Sequence, residues 1–332
     1  MPHSLQDKFR GCLLGGMLGD IAGAVVEAES PGYIAKTYRS VDDILCTDSV
    51  PEFSGPDWRV GRFTDDTQMT LCVAEWLIAG EAPAAELLLA RFAEAWQPWR
   101  RYGPGTETIL RMFPQHRAEW RSLSTAMFPE GSHGNGSAMR VAPIGLARAD
   151  DLDSVADLAI ESSRPTHSHA LAYQGAVLQA TAVATAVSLT RFDLAMFLGA
   201  LRKSLRRFDD LLQSTTALSD AIDAIENGLA RGASCLEISS VLGTGVSATE
   251  AVPMAIYCFV RHPDSFTHVI HDAVFIGGDT DTIASMAGAI SGAFLGSHVI
   301  PTSWLGAVRE ERYTVAAVQD VADRLFAKCA RP

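Results

Sequence analysis

Two stretches decide how this chain folds: GCLLGGMLGDIAG at residues 11–23 and ASMAGAISGAFLG at residues 284–296. In the first, Gly11, Gly15, Gly19 and Gly23 recur every four residues. In the second, Ala284, Gly288, Gly292 and Gly296 do the same. At helical spacing each set lines one face. Glycine costs about 1 kcal/mol in a helix interior relative to alanine, so such a stripe needs a packing reason. Small residues let two backbones approach closely. The pattern predicts two central helices packed against each other, bringing both ends of the chain into one domain spanning residues 1–332.

The periodicity is helical nearly everywhere. It predicts helices over 67–79, 84–96, 138–149, 151–162, 170–189, 193–206, 216–230, 249–261, 264–275 and 282–296. Alternating strand patterns are hard to find, and short polar links join the helices, so the fold class is all-α. No repeat, low-complexity tract or Pro/Gly/Ser-rich linker divides the chain. Residues 170–189 and 282–300 lack Asp, Glu, Lys and Arg and are about long enough to span a bilayer. Both are dominated by Ala, Gly, Ser and Thr, which fits central helices that are apolar all round.

The 332 residues carry 39 acidic and 27 basic side chains, a net charge of −12. A field of that sign opposes general nucleic-acid binding and anionic membrane surfaces. An anionic small molecule would need a local device such as backbone amides or metal ions. The six cysteines form no C-x-x-C pair and mostly lie in apolar runs, and the first residues lack the pattern of a signal peptide. The expectation is a cytoplasmic protein with reduced thiols.

Four features could carry chemistry. Thr64-Asp65-Asp66 and Gly277-Gly278-Asp279-Thr280-Asp281-Thr282 both stand at helix starts. Capping explains one Thr or Asp at each, and Asp65 with Gln68 matches a capping box. It leaves a second carboxylate over in both places. If the two helix starts face each other, four carboxylates and two hydroxyls make an all-oxygen cage suited to Mg²⁺ or Mn²⁺, with room for two ions. Residues 128–137 (FPEGSHGNGS) hold three glycines ahead of a helix. They read either as a surface loop or as an amide nest for an anion, with Asn135 favouring a specific turn. Arg140 would add positive charge there or make a structural ion pair. Glu27 closes the glycine-striped helix, where the dipole disfavours a carboxylate; it is an exposed end, or it serves a metal or acid–base chemistry. His167 and His169 read as structural histidines from spacing alone, and His268 and His271 as solvent-facing.

Together these segments resemble the ADP-ribosylhydrolase (ADP-ribosylglycohydrolase) family. The resemblance runs almost the full length, through FRGCLLGGMLGDIAGAVVEA, GRFTDDTQMT, RRYGPGTET, GSHGNGSAMRVAPIGLA, THSHALAYQGAVLQA, GTGVSATEAVPMAIYCF and GGDTDTIASMAGAISGA. Several of these are similar to the branch that releases ADP-ribose from serine, poly(ADP-ribose) and O-acetyl-ADP-ribose. The resemblance implies a compact single-domain orthogonal helical bundle with two Mg²⁺, or Mn²⁺ in some relatives. It implies Thr64, Asp65, Asp66, Asp279, Asp281 and Thr282 as metal ligands, and Glu27 with Asp65 and Asp66 as the catalytic set. Gly131, Ser132, His133, Gly134 and Asn135 match the loop that cradles the diphosphate, and His167 matches a histidine beside the distal ribose. One departure stands out: relatives usually carry a Tyr that stacks on adenine where this chain has His133. Phe128 would provide the other stacking face.

The implied partners are ADP-ribose and ADP-ribosylated proteins or polymers, for a protein expected to be a monomer. The expected reaction cleaves the bond at C1″ of the distal ribose through an oxocarbenium-like state. The rival readings are an ADP-ribosyl-arginine hydrolase of the same fold, a non-catalytic ADP-ribose-binding relative, and a two-metal phosphohydrolase. Retention of all six ligand positions and Glu27 argues against the non-catalytic relative.

Overall fold

The computed structural model describes residues 4–48, 57–80, 84–206, 208 and 216–330. Among the described residues every regular element is a helix; the one β-type contact is an isolated antiparallel bridge between Gly134 and Ser247.

The two striped helices form the centre. The Leu5–Gly23 helix starts on a Ser4 cap, whose hydroxyl accepts from the Asp7 N–H. It lies against the Thr280–Leu295 helix along its whole length. The stripes face each other: a methyl group on Gly11, Gly15, Gly19 or Gly23 would overlap the backbone of Gly292, Gly288, Ala284 or Thr280 respectively. The last stripe residue, Gly296, sits past the helix end as a cap at φ 90°. Both helices are buried almost all round.

The remaining helices wrap this pair. Ala170–Ser188, Ala248–Arg261 and Phe266–Phe275 pack on the Thr280–Leu295 helix, and Val315–Cys329 packs on the Leu5–Gly23 helix. Ala170–Ser188 is long and apolar enough to cross a membrane by length and composition, yet 83% of that window is buried inside the fold. That is the burial of a core helix. The buried amine of Lys8 caps its end, donating to the carbonyls of Val187 and Leu189 at 2.9 and 2.6 Å.

The structure differs from the sequence reading in several places, three of which bear on the site or the closure of the bundle. The helix expected over 138–149 is only Ala142–Ala147, because residues 138–141 are a turn and Pro143, lacking an N–H, belongs to a first helical turn. The Leu5–Gly23 helix ends before Glu27, which stands in the following turn. A helix over Val315–Cys329, not anticipated, closes the bundle with one apolar stripe.

Candidate metal centre and active site

The site begins with two helix starts that do not use their aspartates as caps. On the Asp65–Ala79 helix the cap is Thr64, whose hydroxyl accepts from the Asp66 N–H at 3.4 Å. The expected Asp65–Gln68 capping box does not form. Gln68 instead accepts from the Tyr102 hydroxyl at 2.6 Å and donates to Gln97 at 3.3 Å. At the Thr280–Leu295 helix Asp279 occupies the cap position, but its side chain makes no capping bond. It accepts from the Asn135 side-chain amide at 2.5 Å. Asp281 lies in the first helical turn.

The close packing of the two central helices brings these starts together. Ligand oxygens of Glu27, Asp279 and Asp281 all lie within 4.8 Å of one another. The Thr282 hydroxyl donates to Asp66 Oδ2 at 3.4 Å, and the Thr64 hydroxyl donates to the same oxygen at 3.2 Å. Asp66 Oδ1 is buried with no hydrogen-bond partner. Burial first, then the charge of Asp281, raises the carboxyls of Asp65, Asp66 and Asp279 well above the usual carboxylate range. The same two causes push Glu27 up to about 8, against the opposing pull of Arg101.

Glu27 reaches the cluster from the turn after the Leu5–Gly23 helix. Arg101 holds it, donating to Glu27 Oε2 at 3.0 Å and to the Ala24 carbonyl at 2.7 Å. The turn is also tied to the second aspartate motif, since the Ala28 N–H donates to the Gly278 carbonyl at 2.9 Å.

A cavity of about 310 Å³ opens over the cluster. Glu27, Asp65, Asp66, Asp279, Asp281 and Thr282 lie on its wall, together with Ser132, Gly134, Asn135, His167 and Phe128. Thr64, Gly131 and His133 are absent from that lining. Thr64 is fully buried beneath it. Gly131, at φ 83°, turns the loop so tightly that a Cβ there would sit 2.6 Å from the His169 nitrogen. The loop itself is pinned: the Asn135 N–H donates to the Val246 carbonyl at 2.9 Å, and the Ala248 N–H to the His133 carbonyl at 3.1 Å.

His133 stands outside that lining and is exposed. Its exposed ring lies 5.8 Å from that of His169, edge to face. His169 has a structural task, accepting from the Leu171 N–H at the start of its helix. His167 is buried in the cavity wall, its Nδ1 2.7 Å from the Thr166 hydroxyl. Burial, then the Arg140 charge, pushes its imidazole down to about 3. Arg140 takes the structural alternative without a carboxylate: it is fully buried, donates to the Ser162 carbonyl at 2.5 Å and lies over Phe92 at 4.6 Å.

Asp20 escaped the sequence reading. It is fully buried on the Leu5–Gly23 helix and accepts from the Thr64 N–H at 2.9 Å and the Thr67 N–H at 3.0 Å. It thereby anchors the first aspartate motif to the central helix. An ionisable residue inside an otherwise small and apolar stretch was the available signal.

A model of the ADP-ribosylglycohydrolase family matches residues 1–332. The chain belongs to the ADP-ribosylglycohydrolase family. It is 36% identical over 321 residues to ADP-ribosylhydrolase ARH3 of Mus musculus, covering 90% of this chain and 86% of that protein. To ADP-ribosylhydrolase ARH3 of Homo sapiens it is 34% identical over 321 residues, covering 90% and 88%. A solved structure titled ADP-ribosylglycohydrolase-related protein complex superposes with a TM-score of 0.73 at 24% identity, covering 98% of this chain and 99% of that one. At that identity the likeness concerns the fold.

For an ADP-ribosylglycohydrolase, a hydrolase of glycosyl bonds, the cavity wall offers only hard oxygen donors at its acidic end. An orphaned carboxylate oxygen on Asp66, three converging carboxylates and two threonine hydroxyls suit a hard divalent cation. Without one, this number of buried carboxylates repel each other. The residues therefore fit the ion their chemistry implies.

Proposed function

We propose that this ADP-ribosylglycohydrolase releases ADP-ribose from O-linked conjugates: serine-ADP-ribosylated protein, poly(ADP-ribose) and O-acetyl-ADP-ribose. The bond cleaved is the one at C1″ of the distal ribose. The observation that carries the reading is the single cavity that runs from the acidic cluster to the glycine-rich turn and Phe128. Such a cavity suits a ligand with a sugar at one end, a diphosphate in the middle and an aromatic base at the other.

Two Mg²⁺, or Mn²⁺, held by Thr64, Asp65, Asp66, Asp279, Asp281 and Thr282 would neutralise the carboxylates and supply Lewis acidity toward the ribose hydroxyls. The chain's own groups do the rest. The turn around Ser132, Gly134 and Asn135 offers polar groups to the diphosphate. Phe128, half exposed on the rim, gives the adenine a face to stack on. His167, neutral in its buried setting, offers a ring nitrogen to a ribose hydroxyl. Glu27 protonates the departing oxygen or takes the proton from the attacking water. Asn135 holds the Asp279 carboxylate in its orientation.

The test is one incubation of the purified protein with serine-ADP-ribosylated and arginine-ADP-ribosylated peptides side by side, with Mg²⁺, read by mass spectrometry. Release of ADP-ribose from the serine peptide alone is expected. Release from the arginine peptide alone would assign N-linked specificity, and release of AMP would contradict glycosyl cleavage altogether.

A further inference from the structure

We infer that Arg101 is a positioning residue that fixes Glu27 at the acidic cluster through a deliberately strained backbone on both sides of the pair. The inference rests on the reading of Glu27 as the acid–base group. Among the described residues only two non-glycine residues have left-handed backbone, Ala28 at φ 64° and Arg101 at φ 62°. They belong to one contact. Ala28 directly follows Glu27, and Arg101 is the residue that binds it, Nη1 to Oε2 at 3.0 Å.

An L side chain disfavours this backbone region, and such residues persist where the surroundings over-determine them. Here they do. The Arg101 guanidinium lies over the face of the buried Trp58, 4.1 Å from the ring centroid. The same nitrogen that reaches Glu27 also donates to the Ala24 carbonyl at 2.7 Å. At the other end of the turn, the Ala28 N–H donates to the Gly278 carbonyl at 2.9 Å. Gly278 itself is at φ 80° and immediately precedes Asp279. The turn from Ala24 to Glu29 is thus held at its start by Arg101 and at its end by the second aspartate motif.

A glycine would adopt the backbone of position 101 without strain. What the position uses is therefore the arginine side chain. Its planar fork is pre-organised by the Trp58 face, so little freedom is lost when it binds the carboxylate. It lines the cavity beside Glu27, so the pair meets whatever occupies the acidic end.

The test compares the wild type with Arg101→Gly, Arg101→Gln and Arg101→Lys. Hydrogen exchange of the 24–30 segment is measured in metal-free buffer, and kcat and KM are measured on serine-ADP-ribosylated peptide in saturating Mg²⁺. Arg101→Gly removes the side chain and puts in its place a residue that adopts this backbone freely. Exchange across 24–30 is expected to quicken about tenfold in the Gly and Gln variants, with unchanged exchange over residues 5–23. A displacement of about 1 Å at a reacting group costs on the order of a hundredfold, so kcat should fall by about that factor with KM nearly unchanged. Arg101→Lys, which keeps the charge, should recover part of both. Unchanged exchange in the 24–30 segment of Arg101→Gly would overturn the inference, as would a wild-type kcat. A wild type that does not turn over the peptide would sink the proposed function alone. The exchange measurement would still decide whether Arg101 holds the turn, and the glutamine variant carries the same comparison if the glycine variant fails to fold.

Discussion

Asp66 is the residue whose surroundings most plainly ask for a cation. One of its oxygens accepts from two threonine hydroxyls, and the other is buried with no partner. Asp66→Asn removes one of the mutually repelling charges. In chelator this variant is expected to melt higher than the wild type, and to lack the rise in Tm that is expected of the wild type on adding Mg²⁺. A thermal-shift series with and without Mg²⁺ reads both effects. His167 makes a separate prediction about acid stability. Its folded-state pKa, about 3, lies below the ordinary 6.5. As pH falls through 6.5, the unfolded chain takes up a proton that the folded chain refuses. Stability is therefore lost downward through that window, by at most about 1.4 kcal/mol per pH unit. His167→Gln should lose stability less steeply between pH 6.5 and 4 in denaturant titrations; parallel curves would refute the assignment. The aspartates were legible as residues because capping could not use them all. The partners that hold them were not. Asp20 stands beside the glycine stripe with no motif of its own, and the Arg101–Glu27 contact joins residues 74 positions apart.

Among the elements, the two striped helices set every other distance. The glycine stripes announced their contact because no other role explains four small residues at a spacing of four. Gly19→Ala tests it, since the added methyl group would overlap the Ala284 carbonyl. Backbone cannot yield as a flexible side chain does. Overpacking typically costs about 1–3 kcal/mol and occasionally more, so a loss of at least that size in urea-unfolding free energy is expected. Gly32→Ala, with nothing within 4 Å of the new methyl, is the control and should change stability little. The same shift would move the Asp65 and Asp281 helix starts apart, so Gly19→Ala should also weaken Mg²⁺ binding. Helix ends were less legible than helix centres. The 138–149 reading ran through a turn because Pro143 begins a helix as readily as it interrupts one. The Val315–Cys329 helix lay under a sequence mixed enough in charge to hide its apolar stripe.

The whole molecule closes through its ends. Glu310, near the C-terminus, pairs with Arg100 at 2.8 Å and accepts from the Phe63 N–H at 3.1 Å, directly before the first aspartate motif. Arg100 lies between the Phe63 and Trp99 rings, 3.8 and 4.1 Å from their centroids. Both partners are almost fully buried, with side chains 2% and 4% exposed. Breaking such a pair from one side costs about 3–5 kcal/mol, so Glu310→Gln should unfold at markedly lower denaturant. No spacing argument could have found it, since the two residues are 210 positions apart. The net charge of −12 also gains a local meaning, because part of the acidic excess is gathered at one cluster that suits a cation. We propose that this cluster, loaded with a divalent ion, is where the ADP-ribosyl bond is cleaved. The most direct measurement follows ADP-ribose release from serine-modified peptide as Mg²⁺ is added back to chelator-stripped protein, with Asp281→Ala in parallel. Release that is absent in chelator, returns with Mg²⁺ and never appears in Asp281→Ala is the predicted result. Undiminished release in chelator, or full activity in Asp281→Ala, would rule out cleavage at a metal-loaded cluster.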